Sequence, residues 1–130
     1  MVLIILQRNL IAELSRYGAV GLTGTAAHYL IMAGLLYFSV SSVVFATSIG
    51  AIFGAFINYI LNYFYTFKCS KKHRETIIKY WLTAAFGAGI NTGIMALNKY
   101  ILNFNVIPAQ LTATAVVFII TFWINRQWAF

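Results

Sequence analysis

Residues 43–64 read VVFATSIGAIFGAFINYILNYF, a run of 22 with no charged residue, no histidine and no proline. A bilayer's hydrocarbon core, about 30 Å thick, is crossed by roughly 20 residues of α-helix. Backbone amides in hydrocarbon find no water, so a crossing segment pairs its own N–H and C=O groups as a helix or joins a closed barrel. The run lacks the strict alternation of a barrel strand. It reads as a membrane-spanning helix. Working outward, three more such stretches follow, over about residues 17–38, 77–100 and 106–126. The first is uncharged apart from His28, the second carries Lys79 and Lys99 near its ends, and the third closes on Asn125-Arg126. The fold expected is an all-α integral membrane protein of four transmembrane helices, with a hydrophilic loop over 65–76. The opening MVLIIL run is too short for a signal-peptide core, and Arg8, Glu13 and Arg16 follow it at once. Residues 1–15 are therefore expected to form a short helix at the membrane surface.

Composition agrees. Of 130 residues, 62% are apolar and 8% charged, and mean hydropathy is +0.83, whereas soluble domains are about 25% charged. The inventory also removes most chemistry. Glu13 and Glu75 are the two carboxylates, and neither lies within a span, so paired acid–base work in the membrane has no candidates. Cys69 alone makes no disulfide, and His28 and His73 share no metal-ligand spacing. No phosphate loop of the nucleotide-binding type occurs. The chain is expected to be no enzyme and to need no cofactor or metal. Its net charge of +7 comes from basic residues flanking the spans, a mark of topology rather than of nucleic-acid binding.

Arg8, Arg16, Lys68, Lys71, Lys72, Arg74, Lys79 and Arg126 fall on one side of the expected spans, and Lys99 alone on the other. By the positive-inside rule both termini and the loop KCSKKHRE (68–75) face the cytoplasm, where the Cys69 thiol stays reduced.

The second half of the chain repeats the first at an offset of 63, without a gap. Tyr17 falls on Tyr80, Gly24 on Gly87, Ile31-Met32-Ala33 on Ile94-Met95-Ala96, Asn62 on Asn125 and Phe67 on Phe130. Arg16 meets Lys79, His28 meets Asn91, and Asn58 meets Thr121. Each repeat holds two spans, so the two are parallel, related by an axis along the membrane normal.

These residues resemble the GtrA-like family of four-span bacterial membrane proteins, over about residues 16–130. The resemblance rests on RYGAVGLTGTAAHYLI (16–31), NYILNYFYTFK (58–68), KYWLTAAFGAGINTGI (79–94) and WINRQWAF (123–130), with an Asn-centred aromatic close ending both even-numbered spans. One departure is Tyr63 where the second repeat has Arg126, so no symmetric pair of arginines is available. The resemblance implies translocation of a polyprenyl-phosphate-linked monosaccharide across the bacterial cytoplasmic (inner) membrane for cell-surface polysaccharide glycosylation. A glycosyltransferase partner would make that lipid. The alternative implied is a non-transporting membrane anchor or subunit of such a glycosyltransferase.

The polar residues fit either role. Ala46, Gly50, Gly54, Asn58 and Asn62 recur every four positions, one drifting stripe of a helix. The small ones read as helix-packing sites. Asn58 and Asn62 read as interhelical glue or as substrate contacts, joined by Asn125 and Thr121 of the second repeat. His28 lies 12 residues beyond Arg16, about 18 Å along the helix, and an ionisable group at mid-membrane is a functional candidate. It reads as a neutral imidazole bonded to backbone or Asn58, as a sugar or phosphate contact with its counterpart Asn91, or as a proton relay. Arg126 between Trp123 and Trp128 reads as an interfacial anchor or as a bidentate phosphate ligand, with Arg16 and Lys79 at the same level. The expected lining is Asn58, Asn62, Asn125 and Arg126 at the entry, then His28 and Asn91. Membrane lipids surround such a protein, and so thin a wall predicts a twofold homodimer. A small multidrug exporter also has four spans, but it needs a membrane-embedded carboxylate that this chain lacks.

Overall fold

The computed structural model describes residues 2–39 and 42–130, with side chains from residue 9 onward. Four α-helices account for most of them: α1 (Val2–Tyr37), α2 (Val43–Leu61), α3 (His73–Leu97) and α4 (Val106–Ile124). No strand occurs among the described residues. The chain divides into two compact units, Met1–Cys69 and Ser70–Phe130, each a helical hairpin.

In the first unit α1 packs on α2. At 36 residues, α1 is about 54 Å long, well beyond a bilayer core, and it passes without a break through the boundary expected near residue 15. Ser42 caps α2, its Oγ accepting from the Phe45 N–H at 3.3 Å, which satisfies one of the four orphan donors of a helix start. Beyond Leu61 the chain widens into a π-helical turn, Asn62–Thr66. There the Phe67 N–H donates to the Asn62 carbonyl at 2.9 Å, and the Cys69 N–H to the Tyr63 carbonyl at 2.8 Å.

The second unit has the same build. Helix α3 packs on α4 and on the π-helical turn that follows it, Asn125–Ala129, closed by the Phe130 N–H on the Asn125 carbonyl at 2.8 Å. A further π-helical turn, Asn98–Leu102, ends α3, closed by the Asn103 N–H on the Asn98 carbonyl at 2.8 Å. Each of the three turns begins on asparagine. Turns of this kind commonly close helix C-termini.

Among the described residues three helices are long and apolar enough to cross a membrane: Asn9–Tyr37, Val43–Thr66 and Val106–Ala129. Helix α3 is 25 residues long but opens on His73-Arg74-Glu75 and carries Lys79 in its second turn, and it falls outside that set. Burial is inverted relative to a soluble protein. Leu22, Leu30 and Ile107 are about three-quarters exposed, whereas Asn62, Thr66, Thr76, Thr83, Asn98, Thr121 and Asn125 are buried. Hydrocarbon solvates leucine and rejects amides, so this distribution is what a bilayer demands. The hydroxyls largely satisfy themselves by donating one turn back: Thr25 to the Gly21 carbonyl (2.9 Å), Thr76 to Lys72 (3.0 Å), Thr83 to Lys79 (2.9 Å) and Thr121 to Val117 (2.8 Å).

Candidate functional site

The contacts between α1 and α2 follow from the small residues of the sequence. A Cβ on Gly54 would lie 2.5 Å from the Gly24 carbonyl oxygen, and one on Gly50 2.5 Å from that of His28. Only hydrogen fits at either place, so the backbones meet there. At one end Tyr17 lies against Phe67, ring centroids 6.0 Å apart; at the other Thr47 Oγ1 donates to Met32 Sδ at 3.2 Å. The helices are thus antiparallel, and His28 and Asn58, one from each, line the same cleft.

That cleft is a notch of about 190 Å³ formed by Gly24, Thr25, His28, Ala51, Gly54, Ala55 and Asn58. By volume it matches about six waters. Asn58 lies over Gly24, where any Cβ would collide with its carboxamide. The imidazole of His28 stacks on Tyr29, centroids 5.2 Å apart and planes within 5°. His28 Nε2 and Asn58 Oδ1 are buried and meet no hydrogen-bond partner among the described residues. Neither bond foreseen for a purely structural histidine, to backbone or to Asn58, reaches Nε2. One and two turns beyond Asn58, Asn62 Oδ1 and Thr66 Oγ1 are likewise buried without a partner among the described residues, outside the notch itself. A buried polar atom without a partner costs about 1–3 kcal/mol. Two residues that carry such atoms line one notch, in helices fit to cross a membrane, and are suited to polar ligand atoms.

The cations end against aromatic faces. Arg16 Cζ lies 5.3 Å over the Tyr65 ring. In the second unit Lys79 Nζ is 5.6 Å over Trp128 and bonds Glu75 Oε1 at 2.7 Å, while Arg126 Cζ is 5.8 Å over Trp123. The Glu75 carboxyl is held below its usual range by that bond from Lys79, then by the Lys79 charge. Lys71 Nζ donates to the Trp128 carbonyl at 3.4 Å. Tyr80 meets Phe130 at 5.9 Å, as Tyr17 meets Phe67.

The remaining candidates fall into different places. Asn125 is buried at the start of its π turn. Asn91 Oδ1 accepts from Gln110 Nε2 at 2.9 Å, and Asn91 lines a larger cavity of about 620 Å³ at the α3–α4 turn together with Lys99. Two participants were not singled out in the sequence. Gln110 is the sole glutamine in its apolar span, a signal in plain view. Gly24 stands off the stripe of Gly50 and Gly54, and only the close approach of the helices reveals its part.

The model of the GtrA/DPMS transmembrane domain matches residues 16–130. The chain belongs to that family. As a GtrA/DPMS domain it is a multi-pass membrane protein of the polyprenyl-phosphate sugar family. No curated protein and no solved structure matches the chain. The matched region begins at Arg16 and takes in every residue of the notch.

Proposed function

We propose that this GtrA/DPMS domain moves a polyprenyl-phosphate-linked monosaccharide across the bacterial cytoplasmic membrane, and that the notch between α1 and α2 holds the sugar during passage. The observation that carries this is that His28 and Asn58, whose Nε2 and Oδ1 are buried without a hydrogen-bond partner among the described residues, both line one cleft. A sugar hydroxyl that donates to Asn58 Oδ1 can accept from His28 in its Nε2–H tautomer, and in the other tautomer a second sugar hydroxyl can donate to Nε2. Each headgroup polar atom left bare in hydrocarbon costs several kcal/mol. The isoprenoid tail needs no such help and stays in lipid.

In this reading α3 is the fourth span, its charged first turns standing at the cytoplasmic surface with both termini. Each unit is a copy of one two-span module, supported by the closures they share: Tyr17–Phe67 and Tyr80–Phe130, Arg16–Tyr65 and Lys79–Trp128, Gly24–Asn58 and Gly87–Thr121. Arg126, Arg16 and Lys79 are the cations we assign to the lipid phosphate, and Asn62 and Asn125 the polar residues we assign to its entry. The protein works as a homodimer beside the glycosyltransferase that makes its substrate. It catalyses no covalent change, and net flow follows consumption of the sugar on the far side.

The test is reconstitution. Proteoliposomes should carry a labelled polyprenyl-phosphate sugar to the opposite leaflet faster than protein-free vesicles. Absence of flux from folded protein, together with tight binding to the glycosyltransferase, would assign it to anchoring instead.

A further inference from the structure

The larger cavity, at the turn between α3 and α4, contains none of the notch residues. About 620 Å³ in volume, it is lined on its polar side by Asn91, Thr92, Lys99 and Asn103, and no acidic residue is among those lining it. The Asn91 carboxamide has its oxygen engaged by Gln110, which leaves its NH2 as a donor. The first residue of α4, Val106, borders the same space, and the N-cap Asn105 makes no side-chain capping bond, so the positive end of α4 adds to the field. All of this favours an anion.

Beside it lies a second cavity of about 230 Å³, lined mainly by Ile94, Leu97, Leu102, Pro108 and Ala109. Asn98 and Phe104 border both spaces and form the partition. Asn98 Nδ2 donates to the Phe104 carbonyl, and the Phe104 N–H donates to Asn98 Oδ1, each at 3.0 Å. Asn103 holds the turn in the left-handed region at φ 53°, a conformation asparagine tolerates better than most residues. A cationic chamber and an oily slot thus share one hydrogen-bonded wall.

We infer that this double cavity is a second lipid site, holding a phosphate-linked sugar in the chamber beside Lys99 and the first isoprene units of its tail in the slot. The ligand's identity rests on the translocation reading, and on that topology the site faces the outer leaflet, where the product waits before it is consumed. Lys99, the lone basic residue on that side, acquires a reason to be there.

The test uses the full chain in phosphatidylcholine nanodiscs and a polyprenyl phosphate glucose with a diazirine on its isoprenoid tail. Irradiation should label the stretch 94–112. Lys99→Gln should reduce that labelling about fivefold, as expected for one cation near a lipid phosphate, and Lys99→Arg should keep it within about twofold. Thr112→Trp, an exposed residue of the slot, should reduce it without touching the charge. Labelling indifferent to Lys99→Gln, or lost equally to excess phosphatidylglycerol, would overturn the site. If the wild type moves no lipid yet labels in a Lys99-dependent way, the site stands and the translocation reading falls. If flux is intact while Lys99→Gln leaves labelling unchanged, the reverse holds.

Discussion

Asn58 covers the Cα of Gly24 so closely that a methyl group there would collide with its carboxamide, and Thr121 stands in the same relation to Gly87, with its Cγ2 2.8 Å from where a Cβ would be. In each hairpin a polar side chain of the second helix is seated on a glycine of the first. The asparagine oxygen is buried without a partner among the described residues; the threonine hydroxyl is turned back onto its own helix.

This packing predicts a ranking of glycine variants. Gly50→Ala and Gly54→Ala push against backbone carbonyls and should cost about 1–3 kcal/mol each. Gly87→Ala meets only side-chain methyls of Thr121 and Val117 and should cost less. Gly34→Ala and Gly89→Ala enter open space and should stabilise by up to about 1 kcal/mol through helix propensity. Thermal denaturation in detergent checks the order.

Asn62 is 2% exposed, and its Oδ1 has no partner among the described residues. Replacing it with leucine removes a buried polar atom at similar volume, so Asn62→Leu should raise stability by about 1 kcal/mol. Flux in liposomes should nonetheless fall. Gains in both quantities would show that the residue is a packing position only.

The Glu75–Lys79 pair gives a pH dependence of known sign. Because the folded carboxyl titrates below its ordinary range, its contribution is present above the unfolded value and disappears as pH falls through the folded one. Lys79→Gln should return the Glu75 titration, followed by NMR of the labelled carboxyl carbon, toward the ordinary carboxylate range. The pair is exposed, so no appreciable shift in melting temperature is expected.

If His28 serves as a hydrogen-bonding contact, flux should respond little to a pH gradient imposed across the liposome. His28→Gln should retain part of the flux, and His28→Leu should lose it. Flux that follows the gradient and vanishes in His28→Gln would make the imidazole a proton carrier.

The helices were legible because hydropathy declares them: the stretch from Val43 onward needs nothing but its length. The π turns were not. The sequence offered their asparagines, 62, 98 and 125, but the extra residue that closes each turn on its carbonyl changes no periodicity long enough to read. His28 and Asn58 stood on separate stripes in the sequence, and their shared notch depends on how closely Gly24, Gly50 and Gly54 let two backbones meet. For the same reason Asn91 read as the counterpart of His28, while its actual neighbours, Gln110 and the Lys99 chamber, come from the far turn of its own hairpin. Charge at the start of α3 blurs its reading as a span, since Arg74, Glu75 and Lys79 count against it by composition wherever the membrane surface lies.

The most direct measurement is paired stability and flux for Asn58→Leu. Leucine approximates the shape of the carboxamide and removes the partnerless oxygen from the notch. The account predicts a protein at least as stable as the wild type, with transport of labelled polyprenyl-phosphate sugar reduced at least about tenfold, as the loss of one substrate hydrogen bond in a buried site implies. Wild-type flux from equally well-folded Asn58→Leu protein would contradict it.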